Sequence, residues 1–131
     1  MLILSIRTDK PEAEVGLFND TSQLAYEVWE AHRALAETIH TKIKDMLSGQ
    51  GKTLHDIEAI IAYAGPGSFT GLRIGLSVAN ALAYSVQIPI VGVEGEEAWL
   101  EKGLQEIASG HNDRIVLPEY GAPVHITTPK K

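Results

Sequence analysis

The residues with the clearest chemical potential lie in one run, Gly65-Pro66-Gly67-Ser68-Phe69-Thr70-Gly71-Leu72-Arg73-Ile74-Gly75-Leu76. Glycine supplies positive φ or room for close backbone approach, and Pro66 stiffens the bend. Ser68 is the expected N-cap of a following helix, its hydroxyl accepting from a first-turn amide. A helix start with free N–H groups is also a potential anion site. Phosphate binding by Gly65, Pro66, Gly67, Ser68, Phe69, Thr70 and Gly71 is therefore one chemistry to weigh. Two nucleotide signatures are missing, however: no Lys followed by Ser or Thr closes a Walker loop, and the glycine spacing is not that of the dinucleotide fingerprint. A small nucleotide-binding or phosphoryl-transfer domain using the Gly65–Gly71 turn stands as the second reading.

Other residues suggest catalysis less strongly. His32, His40, His55, His111 and His125 are far apart, and none falls in a metal-ligand spacing such as His-Glu-x-x-His. His32 and His40, eight apart on one helix, are too distant to share a metal. They are expected at the surface. Glu94, Glu96 and Glu97 follow a strand and could ligate magnesium, but Glu96 and Glu97 better suit the electropositive first turn of a helix. Asp9 could be a strand-end metal ligand displaced by register. Ser68 and Thr70 have no His base nearby in sequence. With no cysteine in the chain, thiol catalysis and zinc–thiolate sites are excluded. No catalytic residue and no metal site is expected.

The 131 residues fit one domain. A net charge of -6 argues against a large nucleic-acid surface, which draws its affinity from Lys and Arg on phosphates. No apolar run approaches the roughly 20 residues of a membrane helix, and the first residues lack a basic leader segment. A cytoplasmic protein is expected.

The elements that must position the glycine-rich run follow from periodicity. Residues 2–6, 15–18 and 24–29 read as three strands joined by turns, with 7–12 as a polar turn. Leu35, Ile39, Ile43, Met46 and Leu47 recur at three- and four-residue steps, giving a helix over 31–47. Thr53 is placed to cap a single turn carrying Leu54 and Ile57. Residues 59–64 and 90–93 are apolar runs suited to buried strands. Between them Phe69–Val86 forms a helix, and 96–108 a third, with Trp99, Leu100, Leu104 and Ile107 on one face; Trp29 and Trp99 are expected in the core. A polar break follows at 109–113, then 115–118 and a proline-punctuated tail. The order β-β-β-α-β-α-β-α gives an α/β fold with a mixed sheet.

The helix after the turn carries one charged residue, Arg73, and many small ones. A helix with a solvated face would show Lys or Glu there, so part of its circumference is expected to meet a partner. Small residues let a second helix come close. Arg73, alone in that apolar setting, is expected to have a fixed partner, either a carboxylate across an interface or its own loop.

The run from Ala64 through Leu82, with Gly65 to Arg73 at its heart, closely resembles the TsaB (YeaZ) family, bacterial subunits of the system that makes tRNA N6-threonylcarbamoyladenosine. Residues 118–130 are similar to that family's C-terminal ending. The resemblance implies a single ribonuclease-H-like (ASKHA, actin-like) half domain, with 1–110 as the N-terminal subdomain and 111–131 as a tail. It further implies a non-catalytic scaffold that docks to the catalytic subunit TsaD, forms a homodimer, and works with the ATPase TsaE. The tRNA would be reached indirectly and catalysis would lie in the TsaD-type partner. The family's contacts use the two helices after the three-stranded meander. Here these would present Leu72, Arg73, Gly75, Leu76, Ala79, Leu82 and Ala83 from the second helix, with Leu35, Ile39 and Ile43 from the first.

Three departures mark the resemblance. The family's first strand ends in Asp-Thr-Ser, where this chain has Arg7-Thr8-Asp9. An Asp-x-Gly phosphate loop is not evident, and after Gly110 a polar break and tail stand where a second subdomain of similar size normally follows. No cofactor is expected, ATP and magnesium by this chain alone included.

Overall fold

Alternation along the first strand sets the architecture. In β1 (Leu2–Arg7), Leu2, Leu4 and Ile6 join one hydrophobic cluster and Ile3 the other, so both faces are covered. The computed structural model describes residues 1–120, the side chains of His32 and Phe69 excepted. The expected roles of 121–131, His125 included, lie outside the described residues. With β2 (Glu12–Asn19), β3 (Ser22–Glu30), β4 (Ala59–Gly65) and β5 (Ile90–Glu94), β1 forms a five-stranded sheet in the order β3-β2-β1-β4-β5. The first three strands pair antiparallel as a meander, while β1, β4 and β5 run parallel.

Helices α1 (Leu35–Gly49) and α2 (Phe69–Val86) lie on one face and α3 (Trp99–Ala108) on the other. Four-residue spacing places Leu35, Ile39, Ile43 and Leu47 of α1 in the core with Leu4, Val15, Leu17 and Ile60. Leu76, Ala79 and Ala83 of α2 join the same cluster. On the opposite face Trp99 and Ile107 pack with Ile61, Tyr63, Val91 and Val93. The sheet is mixed, the class is α/β, and the elements fall in the expected order.

Two helix starts differ from expectation. A 3-10 turn, His32–Ala34, precedes α1, so the α-helix opens at Leu35. Gly95 and Ala98 take left-handed φ of 89° and 54°, which breaks the chain after β5 and delays α3 to Trp99. Glu96 and Glu97 therefore sit in the loop rather than in the helix's first turn. The turn Leu54–Asp56 is capped by Thr53, whose N–H donates to Asp56 Oδ2 at 2.8 Å.

The stretch after α3 is exposed through Ile115, as a polar break should be, yet it is tied to the edge of β5. Asn112 Oδ1 accepts from the Ile90 N–H at 3.1 Å, and Asp113 Oδ2 from the Gly92 N–H at 2.8 Å. The Asp113 N–H donates to the Ile90 carbonyl at 2.8 Å. Val116 is buried over Gly92, where a side chain would overlap it. The Glu119 N–H then donates to the Ala64 carbonyl at 2.7 Å, bringing the chain back to the glycine-rich junction.

Candidate functional site: the glycine-rich junction and the α1/α2 face

The parallel strands β1, β4 and β5 end at the same side of the sheet, in Arg7, Gly65 and Glu94. The residues just past β1 were expected in a polar turn. Instead Arg7, Thr8 and Asp9 are 5%, 2% and 6% exposed, which is possible only because their polar atoms are paired. Arg7 Nε donates to Asp9 Oδ1 at 2.7 Å, and its terminal nitrogen to Asp9 Oδ2 at 3.1 Å and Glu96 Oε1 at 3.0 Å. Its guanidinium lies 4.1 Å from the Tyr63 ring centroid and 5.8 Å from a Trp99 ring centroid. Burial disfavours the Arg7 cation, but the bonds to Asp9 and Glu96 outweigh it and hold the group above its ordinary value. Burial likewise raises the Tyr63 phenol, helped by the Asp9 charge. That phenol donates to the Pro66 carbonyl at 3.0 Å, tying the bend to the same knot.

The glycines make room for this segment. A Cβ at Gly67 would overlap the Asp9 side chain, one at Gly71 the Thr8 carbonyl oxygen, and one at Gly75 the Thr8 side chain. Thr8 Oγ1 donates to the Gly71 carbonyl at 2.7 Å, and the Ser68 N–H to the Asp9 carbonyl at 3.0 Å. Gly65, at φ 122°, faces the Glu119 carbonyl from the other side. The space a phosphate would need beside Gly67 and Gly71 is thus filled by the chain's own residues. Ser68 sits at the N-cap of α2, but its side chain makes no capping hydrogen bond. Its backbone amide, not its hydroxyl, makes the connection.

Both oxygens of Asp9 accept from the Arg7 guanidinium, which occupies the side of the carboxylate a metal ion would need. Glu94 and Glu97 are exposed, and among the described residues no three His, Asp or Glu side chains converge as a metal site would need. His55 lies in the short capped turn, and His111 Nε2 is 2.6 Å from Asp113 Oδ1. Trp29 Nε1 donates to Thr38 Oγ1 at 3.0 Å, and Trp99 is core.

The expected contact residues need correction in part. Leu72, Gly75, Leu76, Ala79 and Ala83 of α2, with Leu35, Ile39 and Ile43 of α1, are buried in the chain's own core and out of a partner's reach. Leu82 is half-buried and Arg73 exposed. The stripe of small residues on α2 is explained by the close approach of Thr8 and the sheet. The outward face runs instead through Thr70, Arg73, Ser77, Ala81 and Tyr84, all exposed. Sequence reasoning also passed over Asn80, whose side chain brackets Val116. Its signal was being the one amide inside an otherwise apolar helix.

A family model described as "TsaD: tRNA N6-adenosine threonylcarbamoyltransferase" matches residues 29–120. The chain is 33% identical over 125 residues to the tRNA threonylcarbamoyladenosine biosynthesis protein TsaB of Escherichia coli K12, covering 88% of this chain and 52% of that protein. It is 27% identical over 122 residues to TsaB of Bacillus subtilis 168, covering 93% and 51%. Among solved structures, YeaZ from Pseudomonas aeruginosa superposes with a TM-score of 0.69 at 26% identity, over 82% of this chain and 50% of that one. RuvC of T. thermophilus, bound to a Holliday junction, shares the fold alone, with a TM-score of 0.53 at 14% identity over 96% of this chain and 85% of that one. The mixed sheet with α1 and α2 on one face and α3 on the other is an actin-like, ribonuclease-H-like fold. Within that class the chain belongs to the TsaB (YeaZ) family. It spans about half the length of the curated TsaB relatives it matches.

Proposed function

We propose that this chain acts in tRNA threonylcarbamoyladenosine modification as a non-catalytic scaffold, docking to a TsaD-type subunit, to a second copy of itself, or to each in turn through α1 and α2. The observation that carries the reading is the outward face of α2. Its exposed residues Thr70, Arg73, Ser77, Ala81 and Tyr84 include a single charge, and Tyr84 is 81% exposed. A helix face that met only water would carry more charge, whereas interface cores are depleted in charge and enriched in Tyr. The closed Arg7–Asp9 pair leaves no open carboxylate at the end of β1, which supports leaving catalysis to the partner. In this reading residues 1–110 are the docking subdomain and 111–131 its tail, a TsaE-type ATPase and tRNA join through the partner, and the setting is the cytoplasm. Among the described residues no helix is long and apolar enough to cross a membrane.

The test uses the outward face alone. Ala81→Glu and Tyr84→Glu should each weaken association with the TsaD-type subunit or with a second copy, read by pull-down and analytical ultracentrifugation, while circular dichroism stays unchanged. A wild-type chain that is strictly monomeric and is not retained by the TsaD-type subunit would defeat the reading.

A further inference from the structure

At the β3 margin the sheet is open. The Ala31 N–H donates to the Pro11 carbonyl at 3.0 Å, and the pairs Ala13–Trp29 and Val15–Glu27 continue that register. Odd-numbered residues of β3 therefore direct their backbone groups to β2, and Tyr26 and Val28 turn theirs outward. Among the described residues no strand lies beyond β3. Val28, a branched apolar residue on this margin, is 54% exposed. On the face that carries α1, Lys42 Nζ donates to Glu27 Oε2 at 3.2 Å and lies 5.6 Å from the Trp29 ring centroid.

We propose that this edge pairs antiparallel with the same edge of a second copy, about a two-fold axis that runs normal to the sheet through Val28. The surface is the strand margin rather than the outward face of α2, so the inference goes beyond the docking reading. Charge and side-chain direction select the register. Continuing a sheet about such an axis keeps like faces together, so each residue meets one whose number has the same parity. An axis at Glu27 would set two carboxylates directly opposite, which is destabilising. An axis at Tyr26 would set Val28 opposite Leu24, where the ladder with β2 shifts register and the strand bends. An axis at Val28 avoids both. Valine then meets valine, and the two residues exchange both of their outward backbone bonds. Glu27 falls opposite Trp29 of the second copy, the ring beside which that copy holds its Lys42. One ammonium thus faces a carboxylate from each chain, and no like charges are opposed at these positions.

The contact is a short strand pair, smaller than the roughly 1,200 Å² of a standard interface, so it forms and dissolves with concentration. Sedimentation of the full chain over a dilution series, with amide hydrogen exchange at each step, tests it. The Val28 amide should gain protection as concentration rises, while the Glu27 and Trp29 amides, bonded to β2 in either state, should not change. Val28→Lys sets two cations opposite each other and should weaken self-association on the order of tenfold or more. Val28→Pro removes the outward donor at an edge position that tolerates proline, and should act in the same direction. Lys42→Ala should weaken the association and Lys42→Arg preserve it, and Glu101→Gln on α3 should leave it unchanged. Circular dichroism of each variant confirms that the fold is kept.

Self-association that Tyr84→Glu abolishes and Val28→Lys leaves intact overturns the edge assignment while the docking reading stands. Protection of the Val28 amide by the TsaD-type subunit, and not by the chain's own concentration, gives the edge to another protein and equally overturns it. A strictly monomeric chain does the same, and retention by the TsaD-type subunit then decides the docking reading separately.

Discussion

Asn80 grips Val116 by both halves of its backbone: the carboxamide nitrogen donates to the Val116 carbonyl at 2.9 Å, and the Val116 N–H donates to Asn80 Oδ1 at 2.9 Å. One side chain from α2 thereby mimics a strand neighbour for a segment that has none. Asn80→Ala leaves both Val116 groups half-buried without partners and is expected to cost about 1–3 kcal/mol. Urea midpoints read the loss, and amide hydrogen exchange at Val116 should rise more than at Ile60.

The Arg7 knot makes two carboxylates unequal. Asp9→Asn strips the charge from the buried partner, whose side chain is 4% exposed, and should cost about 3–5 kcal/mol. Glu96→Gln removes the other, 71% exposed, and should cost about 1 kcal/mol or less. Chemical denaturation of the two variants side by side checks the ordering. Equal losses would mean that Arg7 is held by its aromatic contacts rather than by Asp9.

The tight fit at Thr8 predicts two kinds of glycine. Gly71→Ala forces a methyl against a carbonyl oxygen and Gly75→Ala forces one against the Thr8 side chain, each worth about 1–3 kcal/mol of overpacking. Thr8→Gly should recover part of the Gly75→Ala loss in a double-mutant cycle. It should recover none of the Gly71→Ala loss, because the obstructing atom belongs to the backbone.

Alkaline pH should weaken the fold through Tyr26. Burial pushes its phenol up, and the hydrogen bond to Glu14 Oε1 at 2.6 Å adds to the shift. Below the ordinary value of 10.0 the phenol is neutral in folded and unfolded chains alike, and its contribution is whole. Above it the unfolded phenol ionises while the folded one stays protonated, so stability falls as pH rises. Denaturation midpoints measured across that range should decline less steeply in Tyr26→Phe, with a residual slope from Tyr63, which is raised in the same direction.

Two α2 positions separate folding from docking. Ala79 is fully buried and Ser77 exposed. Ala79→Glu places a charge in the core and should cost several kcal/mol, on the order of a buried unpaired ion. Ser77→Glu should shift the thermal midpoint by only about a degree or two while acting on association. Thermal melts paired with sedimentation resolve the two effects.

Where hydrophobic period alone decides structure, the sequence was readable. The apolar runs at 59–64 and 90–93 became buried strands, and the four-residue steps from Leu35 to Leu47 became the inward stripe of α1. Where pairing at a distance decides, it was not. Arg7, Thr8 and Asp9 carry the residue types of a solvated turn. Beyond the local Arg7–Asp9 pair, it takes Glu96, Tyr63 and the glycines of α2, all more than fifty residues away in sequence, to make their burial tolerable. The same distance hid the purpose of the small residues in α2. Their size suggested a visiting helix, whereas the visitor at Gly71 and Gly75 is Thr8. Glu96 and Glu97 suited a helix start by composition, but left-handed backbone at Gly95 and Ala98 postponed it.

The oxygens of Asn112 and Asp113 on β5 carry one last consequence. A parallel β-sheet ordinarily presents its outermost amides as a template onto which any extended polypeptide can add. Here two short polar side chains have already satisfied the outward N–H groups of Ile90 and Gly92, in the way a hem stops a weave from unravelling or lengthening. A foreign strand arriving on that flank would have to dislodge them first, so accretion by backbone pairing is steered to the opposite margin, along β3.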